Sequence, residues 1–130
     1  MKIAVKSAPT KIPTKSKFRS KFRLDIADRE YIERRGLPAI QTHARDFILR
    51  RLAPANVKND GKQTPLQGHP VFKAQHATAT CCRGCFYKWY GIPKTKNLTK
   101  PEIEMAVSAI MQWIELQYQA LLKVTPVKSV

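Results

Sequence analysis

Acidic residues are scarce in this chain. Its 130 residues include 24 Lys and Arg but only nine Asp and Glu, which gives a formal net charge of +15. Long apolar runs are also missing: no segment reaches the roughly 18 apolar residues of a membrane helix, because Glu104 and Glu115 interrupt the longest apolar-periodic stretch. The length leaves room for one compact domain, so we expect a single domain rather than a multidomain enzyme. We therefore expect a soluble single-domain protein with no membrane partner.

Signals for export and several common catalytic motifs are missing as well. The N-terminal residues have no apolar run, and Pro9 and Pro13 disfavour the amphipathic helix of a transit peptide. Three Cys leave one unpaired in any disulfide framework, so we expect a reducing, cytoplasmic location. The chain contains no Gly-rich phosphate loop, paired-carboxylate motif or Ser nucleophile elbow. What it does contain is concentrated positive charge and a cluster of Cys and His.

The positive charge is concentrated at the N-terminus, where residues 1–23 hold eight Lys and Arg and no acidic residue. We predict a disordered basic tail over 1–15 and a single domain over 16–125. A basic arm binds polyanions by releasing their counterions, whatever fold follows it. The repeated Ser-Lys-Phe-Arg at 16–23 places Phe18 and Phe22 four residues apart. The two rings either stack on nucleic-acid bases or, as we favour, anchor the arm to the core.

Hydrophobic periodicity and capping residues predict an all-α fold of about four helices. Asp25 or Asp28 caps a helix over 26–35 that stops at Gly36, and a second helix runs from Leu37-Pro38 to Pro54. A third helix is predicted over 77–90. The last begins at the capping box of Thr99 and Glu102 and ends near 123. Between the second and third helices, residues 54–76 have no convincing period, so we predict a long functional loop there.

Nucleic-acid association is the first functional hypothesis, with binding mainly to the phosphate backbone. For the arginines of the second helix, an ordinary solvated face is an equal alternative. The candidate nucleic-acid-binding residues are Lys17, Arg19, Lys21, Arg23, Arg45, Arg50, Arg51, Arg83 and Lys94.

The densest group of reactive residues is the segment from His76 to Cys85. If this segment is one helix, Cys81, Cys82 and Cys85 share a face, one turn from His76. Three thiolates and one imidazole are a known ligand set for zinc, and three Cys can also hold an iron–sulfur cluster. Two other interpretations stay open: buried Cys are ordinary core residues, and a Cys at a helix N-terminus can be a reactive nucleophile.

Two further functional classes follow from the same residues. A small metal- or thiol-dependent enzyme would use the polar loop beside the cysteines, with the catalytic candidates Asp60, Lys62, Gln63, His69 and His76. A protein-interaction module would instead use the basic arm to bind an acidic protein partner.

Several short sequence motifs between residues 60 and 94 resemble those of one known family. They are Asp-Gly-Lys-Gln-Thr-Pro at 60–65, Gly-His-Pro-Val-Phe at 68–72, Ala-Gln-His-Ala-Thr-Ala-Thr-Cys-Cys-Arg-Gly-Cys at 74–85, Lys-Trp at 88–89 and Gly-Ile-Pro-Lys at 91–94. They are similar to the bacterial and phage family known as domain of unknown function four-one-eight-six. The resemblance runs from about 16 to 114 and implies a prokaryotic or phage origin. The chain departs from the family at Tyr90, where the resemblance implies His after Lys-Trp.

Overall fold

The computed structural model describes residues 17–124, and all regular secondary structure in that range is helical. Its elements are α1 (Lys17–Ser20), α2 (Ile26–Arg35), α3 (Leu37–Phe47), a π-helical turn (Ile48–Leu52), α4 (Pro70–Ala77), α5 (Arg83–Tyr90) and α6 (Lys100–Val124). The all-α prediction is confirmed. The tail predicted over 1–15 lies outside the described residues.

Local capping chemistry sets the predicted helix ends. At the start of α2, the Asp25 carboxylate accepts the N–H of Asp28 at 2.8 Å, and the Asp28 carboxylate accepts the N–H of Asp25 at 3.0 Å. Gly36 separates α2 from α3 with a φ of +85°, a conformation that disfavours any residue with a Cβ. The Glu102 carboxylate accepts the N–H of Thr99 at 2.8 Å, which completes the predicted capping box of α6.

The segment 70–90 differs from its prediction. It forms two helices, α4 and α5, where one helix over 77–90 was expected, so the predicted loop over 54–76 ends at residue 69. His69 makes the earlier start possible, because its ring Nδ1 accepts the N–H of Val71 at 3.0 Å and caps α4. The helix then stops because Ala79 has a φ of +63°, and the Thr78 hydroxyl donates to the Ala74 carbonyl at 2.8 Å.

The hydrophobic core is built around α6. Ile110 and Ile114 are fully buried on the face of α6 that packs against α3 and α4. Ile40 of α3 and Val71 of α4 are equally buried in this cluster, and Phe86 joins it from α5. The apolar stripe of α6 therefore forms the platform on which α4 packs, and α5 joins the same core through Phe86. None of the helices in the range 17–124 has the length and apolar character needed to cross a membrane.

Candidate metal centre

Three cysteine sulfurs converge where the α4–α5 loop meets α5. The ligand atoms of Cys81, Cys82 and Cys85 all lie within 4.8 Å of one another. Cys82 is the N-cap of α5, and its Sγ accepts the N–H of Cys85 over 3.4 Å. Sequence analysis expected the sulfurs to meet on one face of a continuous helix. The structure brings them together by a turn followed by a helix start, so the cluster was predicted correctly and its local geometry was not.

The turn that presents Cys81 is held by its own polar side chains. Gln75 Nε2 donates to the Thr80 carbonyl at 3.0 Å, and the hydroxyls of Thr78 and Thr80 lie 3.0 Å apart. From the 53–69 loop, the Thr64 hydroxyl donates to the Cys81 carbonyl at 2.8 Å. The backbone around Cys81 is therefore held by buried, hydrogen-bonded side chains: Thr64, Gln75, Thr78 and Thr80.

Arg19 is the cation of this centre. Its Nη1 donates to the His76 carbonyl at 2.6 Å and lies 3.8 Å from Cys81 Sγ. The side chain is 8% exposed, so Arg19, which sequence analysis assigned to a nucleic-acid-binding arm, is largely withdrawn from solvent. A buried guanidinium beside sulfur atoms favours their thiolate form, the form that binds metals.

The thiols of the cluster differ in acidity. Hydrogen bonds from the thiols of Cys81 and Cys82, together with the charge of Arg19, hold the pKa of Cys85 well below its usual range. Hydrogen bonding to Cys82 and Cys85, together with burial, raises the pKa of the Cys81 thiol. The cluster is thus able to hold a thiolate at neutral pH, with Cys85 as its most acidic member and also its most exposed.

Asp60 lies at the N-terminus of α5, close to the cysteines. Its carboxylate accepts the N–H of Arg83 at 2.9 Å and that of Gly84 at 2.8 Å, and Gln63 Nε2 donates to it at 2.7 Å. Burial alone would raise the pKa of Asp60, but these hydrogen bonds lower it below its ordinary value. The carboxylate complements the positive end of the helix dipole. Lys62, predicted beside it as a catalytic candidate, has an exposed side chain.

The structure does not bring the ring of His76 into the cysteine cluster that it was predicted to complete as a fourth ligand. Its Nε2 lies 3.0 Å from the Thr64 carbonyl and 3.1 Å from the Pro65 carbonyl, and two acceptors require a protonated donor there. The ring of Phe22 stacks on the His76 imidazole at a centroid distance of 5.2 Å, and Phe18 meets it edge-on. The two Phe of the repeated tetrapeptide therefore anchor α1 against α4.

His69 belongs to a different part of the surface. Its Nε2 lies 3.2 Å from Nδ1 of His43, a residue that sequence analysis did not single out. His43 lies within α3 and belongs to no recognisable motif, so nothing in the local sequence indicates that it would contact His69. The predicted grouping of His69 with Asp60 and the cysteines does not occur among the described contacts.

Apart from the buried Arg19 and Arg83, the predicted nucleic-acid-binding cations fall into two groups. Arg45 forms a bidentate ion pair with Glu104, and Arg50 pairs with Asp46. Lys94 lies 3.9 Å from Asp60. The side chains of Lys17, Lys21 and Arg23 are exposed, and Arg51 is partly exposed. These exposed and partly exposed cations form the second group, and none of them has an ion pair with a described carboxylate.

Arg83 is a buried structural residue and is unavailable to a nucleic acid. It is 1% exposed, and its Nη1 and Nη2 donate to five backbone carbonyls at 2.6–3.2 Å. These carbonyls belong to Leu52, Ala53, Pro54, Pro93 and Lys96. The side chain next to Cys82 thus ties the end of the π-helical turn to the loop after α5. Sequence analysis missed this role, because a buried Arg has no sequence signature.

Fold and site together define a small all-α protein with a three-cysteine cluster that is suited to a metal ion. A family model described as Domain of unknown function (DUF4186) matches residues 10–115. The chain belongs to this family, and the resemblance seen in the sequence is confirmed. No solved structure matches the chain.

Proposed function

We propose that this protein is a zinc-binding protein whose ion is held by Cys81, Cys82 and Cys85. The convergence of three sulfurs within 4.8 Å carries the proposal. Three sulfurs on one tetrahedral zinc, at Zn–S distances of about 2.3 Å, stand about 3.8 Å apart. The 4.8 Å that bounds the cluster is about 1 Å above that spacing. The Cys85 N–H bonds the sulfur of Cys82, as outer-shell donors do for metal-bound thiolates.

Charge balance also supports zinc at this position. Three thiolates and one divalent ion carry a net charge of about −1, and the guanidinium of Arg19 beside Cys81 compensates it. Among the described residues, no His, Cys, Asp or Glu stands as a fourth ligand in the cluster. Zinc sites with three protein ligands keep their fourth position for water or a substrate. The proposed function is therefore a zinc centre with one exchangeable position, reached from the Cys85 side.

The compactness of the cluster favours a single ion over an iron–sulfur cluster. In a [4Fe–4S] cluster each thiolate binds its own iron, so the thiolates are spread more widely than thiolates on one ion. Here Cys81 and Cys82 are buried, the Thr64 hydroxyl bonds the Cys81 carbonyl, and the Cys85 N–H bonds the Cys82 sulfur, which opposes such spreading.

The test is the metal content of the full chain, purified without chelators and without an affinity column that carries metal. We expect about one zinc per chain, and cobalt substitution should give the visible spectrum of tetrahedral thiolate coordination. Cys82→Ser should abolish both signals. The matched control is His76→Gln, which keeps a side-chain N–H for the Thr64 carbonyl and should retain the zinc. A folded wild-type chain without metal, zinc that survives Cys82→Ser, or iron with acid-labile sulfide would contradict the proposal.

Thiol–disulfide exchange is a second candidate function, favoured by the position of Cys82 and Cys85. They form a C-x-x-C pair at the N-terminus of α5, where the helix dipole and Arg19 stabilise a thiolate. Oxidation would join the two sulfurs, release two protons and pass two electrons to an external disulfide, which becomes two thiols. Mass spectrometry of chains equilibrated with oxidised glutathione measures this. A Cys82–Cys85 disulfide in a metal-free protein would replace the zinc proposal; fully reduced Cys would exclude the redox function.

A further inference from the structure

A second group of side chains lies apart from the cysteines and is centred on the imidazole of His69. Four rings surround it at centroid distances of 5.1–5.6 Å: Tyr31, His43, Phe47 and Phe72. They come from α2, α3 and α4, and each is partly exposed. We refer to these five rings as the ring cluster. A partly exposed group of aromatic faces in a small protein is typical of a binding surface.

Three arginines border the ring cluster. The guanidinium carbons of Arg34 and Arg35 lie 5.6 and 5.7 Å from the centroid of Tyr31. That of Arg51 lies 5.1 Å from Phe47 and 5.5 Å from Phe72. Each guanidinium thus lies at cation–π distance from an aromatic ring, and Arg34 and Arg35 are exposed while Arg51 is partly exposed.

These three arginines differ from their neighbours in having no anionic partner. Within residues 17–124, no carboxylate lies at ion-pair distance from Arg34, Arg35 or Arg51, whereas the nearby Arg45 and Arg50 pair with Glu104 and Asp46. Three positive charges without an ion pair to a described carboxylate are thus left around the rings. The border of the ring cluster therefore carries a net positive charge that attracts polyanions.

The histidine pair adds a hydrogen-bond donor to this surface. Nδ1 of His69 accepts the N–H of Val71, so the proton of the neutral ring is on Nε2, which donates to Nδ1 of His43. His43 then carries its own proton on Nε2. Within the described residues that N–H has no hydrogen-bond partner, so it is available to a phosphate oxygen or a base.

A cleft of about 540 Å³ adjoins the ring cluster, lined in part by Tyr31, Arg34, His69 and Lys73. Its volume is in the range of small-ligand sites, about 300–1,000 Å³. Asp25 and Asp28 also line it, but both bind the ammonium of Lys73. The cleft is large enough to receive one unstacked nucleotide beside the ring cluster.

We propose that the ring cluster and Arg34, Arg35 and Arg51 form a binding site for single-stranded nucleic acid. Bases stack on aromatic and guanidinium faces, and the phosphates pair with the arginines. A single strand is favoured over a duplex because its bases are free to reach the rings. A net charge of +15 adds long-range attraction for such a strand. The site is independent of the cysteines, so it stands whether or not the protein holds zinc.

The test measures the affinity of the full chain for a fluorescein-labelled oligothymidylate over a series of salt concentrations. The variant Arg34→Gln/Arg35→Gln/Arg51→Gln should bind at least tenfold more weakly, with the salt slope reduced by about 2, since each lost phosphate contact removes about 0.7 for a single strand. Tyr31→Leu keeps the charge and the apolar packing and should weaken binding about tenfold through lost stacking.

The matched control is Lys58→Gln/Lys100→Gln/Lys123→Gln, which removes the same charge from exposed positions elsewhere. It should change the affinity by less than threefold. Equal losses in the two triple variants would overturn the proposal, because charge alone would then explain binding. Equal or tighter binding of a DNA duplex, or of polyglutamate as an acidic-protein probe, would also overturn it. Circular dichroism and the zinc content of each variant separate a lost surface from a lost fold or metal centre.

Discussion

Nη1 of Arg19 lies 3.8 Å from Sγ of Cys81, although 62 positions separate the two residues. This contact places a buried cation from α1 against a cluster of three thiols. It links the N-terminal segment to the proposed zinc centre, and it explains why a residue of the basic region is only 8% exposed.

Arg19→Met should weaken zinc binding by about ten- to a hundredfold, because the compensating charge beside the thiolates is lost. Competition with a chromogenic chelator measures the affinity. Arg23→Met is the control, since Arg23 is exposed and belongs to the same basic segment. Equal zinc affinity of the wild type and Arg19→Met would remove Arg19 from the centre.

Gly84→Ala should destabilise the protein by about 1 kcal/mol, although Ala is worth about 1 kcal/mol more than Gly in a helix. A Cβ at this position would lie 3.1 Å from Asp60 Oδ2, and Gln63 and two backbone N–H groups hold that carboxylate in place. Urea unfolding measures the difference.

The control for Gly84→Ala is the same substitution in an Asp60→Ala background. With the carboxylate gone, helix propensity alone acts, and Gly84→Ala should become stabilising. If the sign is the same in both backgrounds, the close approach of Asp60 is not the reason for glycine at this position.

Arg83→Met should cost about 3–5 kcal/mol of unfolding free energy. The substitution removes the Arg83 donor from five carbonyls, of which that of Ala53 keeps the N–H of Leu98, and acceptors left without a donor inside the protein are expensive. Chemical denaturation followed by circular dichroism gives the value. Arg50→Met, at an exposed ion pair, should stay within about 0.5 kcal/mol of the wild type. A stable Arg83→Met variant would show that the loops hold without this residue.

The pH dependence of stability should reflect His69. Burial, followed by the charges of His43 and Arg35, lowers the pKa of His69 from 6.5 in the unfolded chain to about 4 in the folded protein. Between these two values the unfolded chain binds more protons, so stability is complete above about pH 6.5 and falls as the pH falls towards 4. We expect a loss of about 1–3 kcal/mol over this window.

His69→Asn isolates this contribution. Asn accepts the N–H of Val71 as an N-cap but does not titrate, so its stability should depend less on pH between 6.5 and 4. Unfolding in urea at several pH values gives both curves. Carboxylates with lowered pKa, such as Asp60 and Glu104, add losses at more acidic pH in both proteins. Parallel curves from pH 6.5 to 4 would mean that His69 is protonated alike in the folded and unfolded states.

Local rules predicted much of the fold. The start of α2, the break at Gly36 and the start of α6 were predicted within a residue, because capping bonds join residues only three or four positions apart. The division of 70–90 was missed, because a histidine cap at His69 and a left-handed Ala79 are uncommon choices that sequence rules do not anticipate.

By itself, the sequence determined an all-α chain with an excess of cations and three neighbouring cysteines, since composition, periodicity and caps are properties of short segments. Tertiary structure alone decided which distant groups meet. Packing of α1 and α4 brought Arg19 to Cys81 and turned His76 away from the sulfurs, and packing of α2, α3 and α4 gathered the ring cluster around His69. Such contacts depend on burial of apolar surface across the whole domain, which no local pattern records.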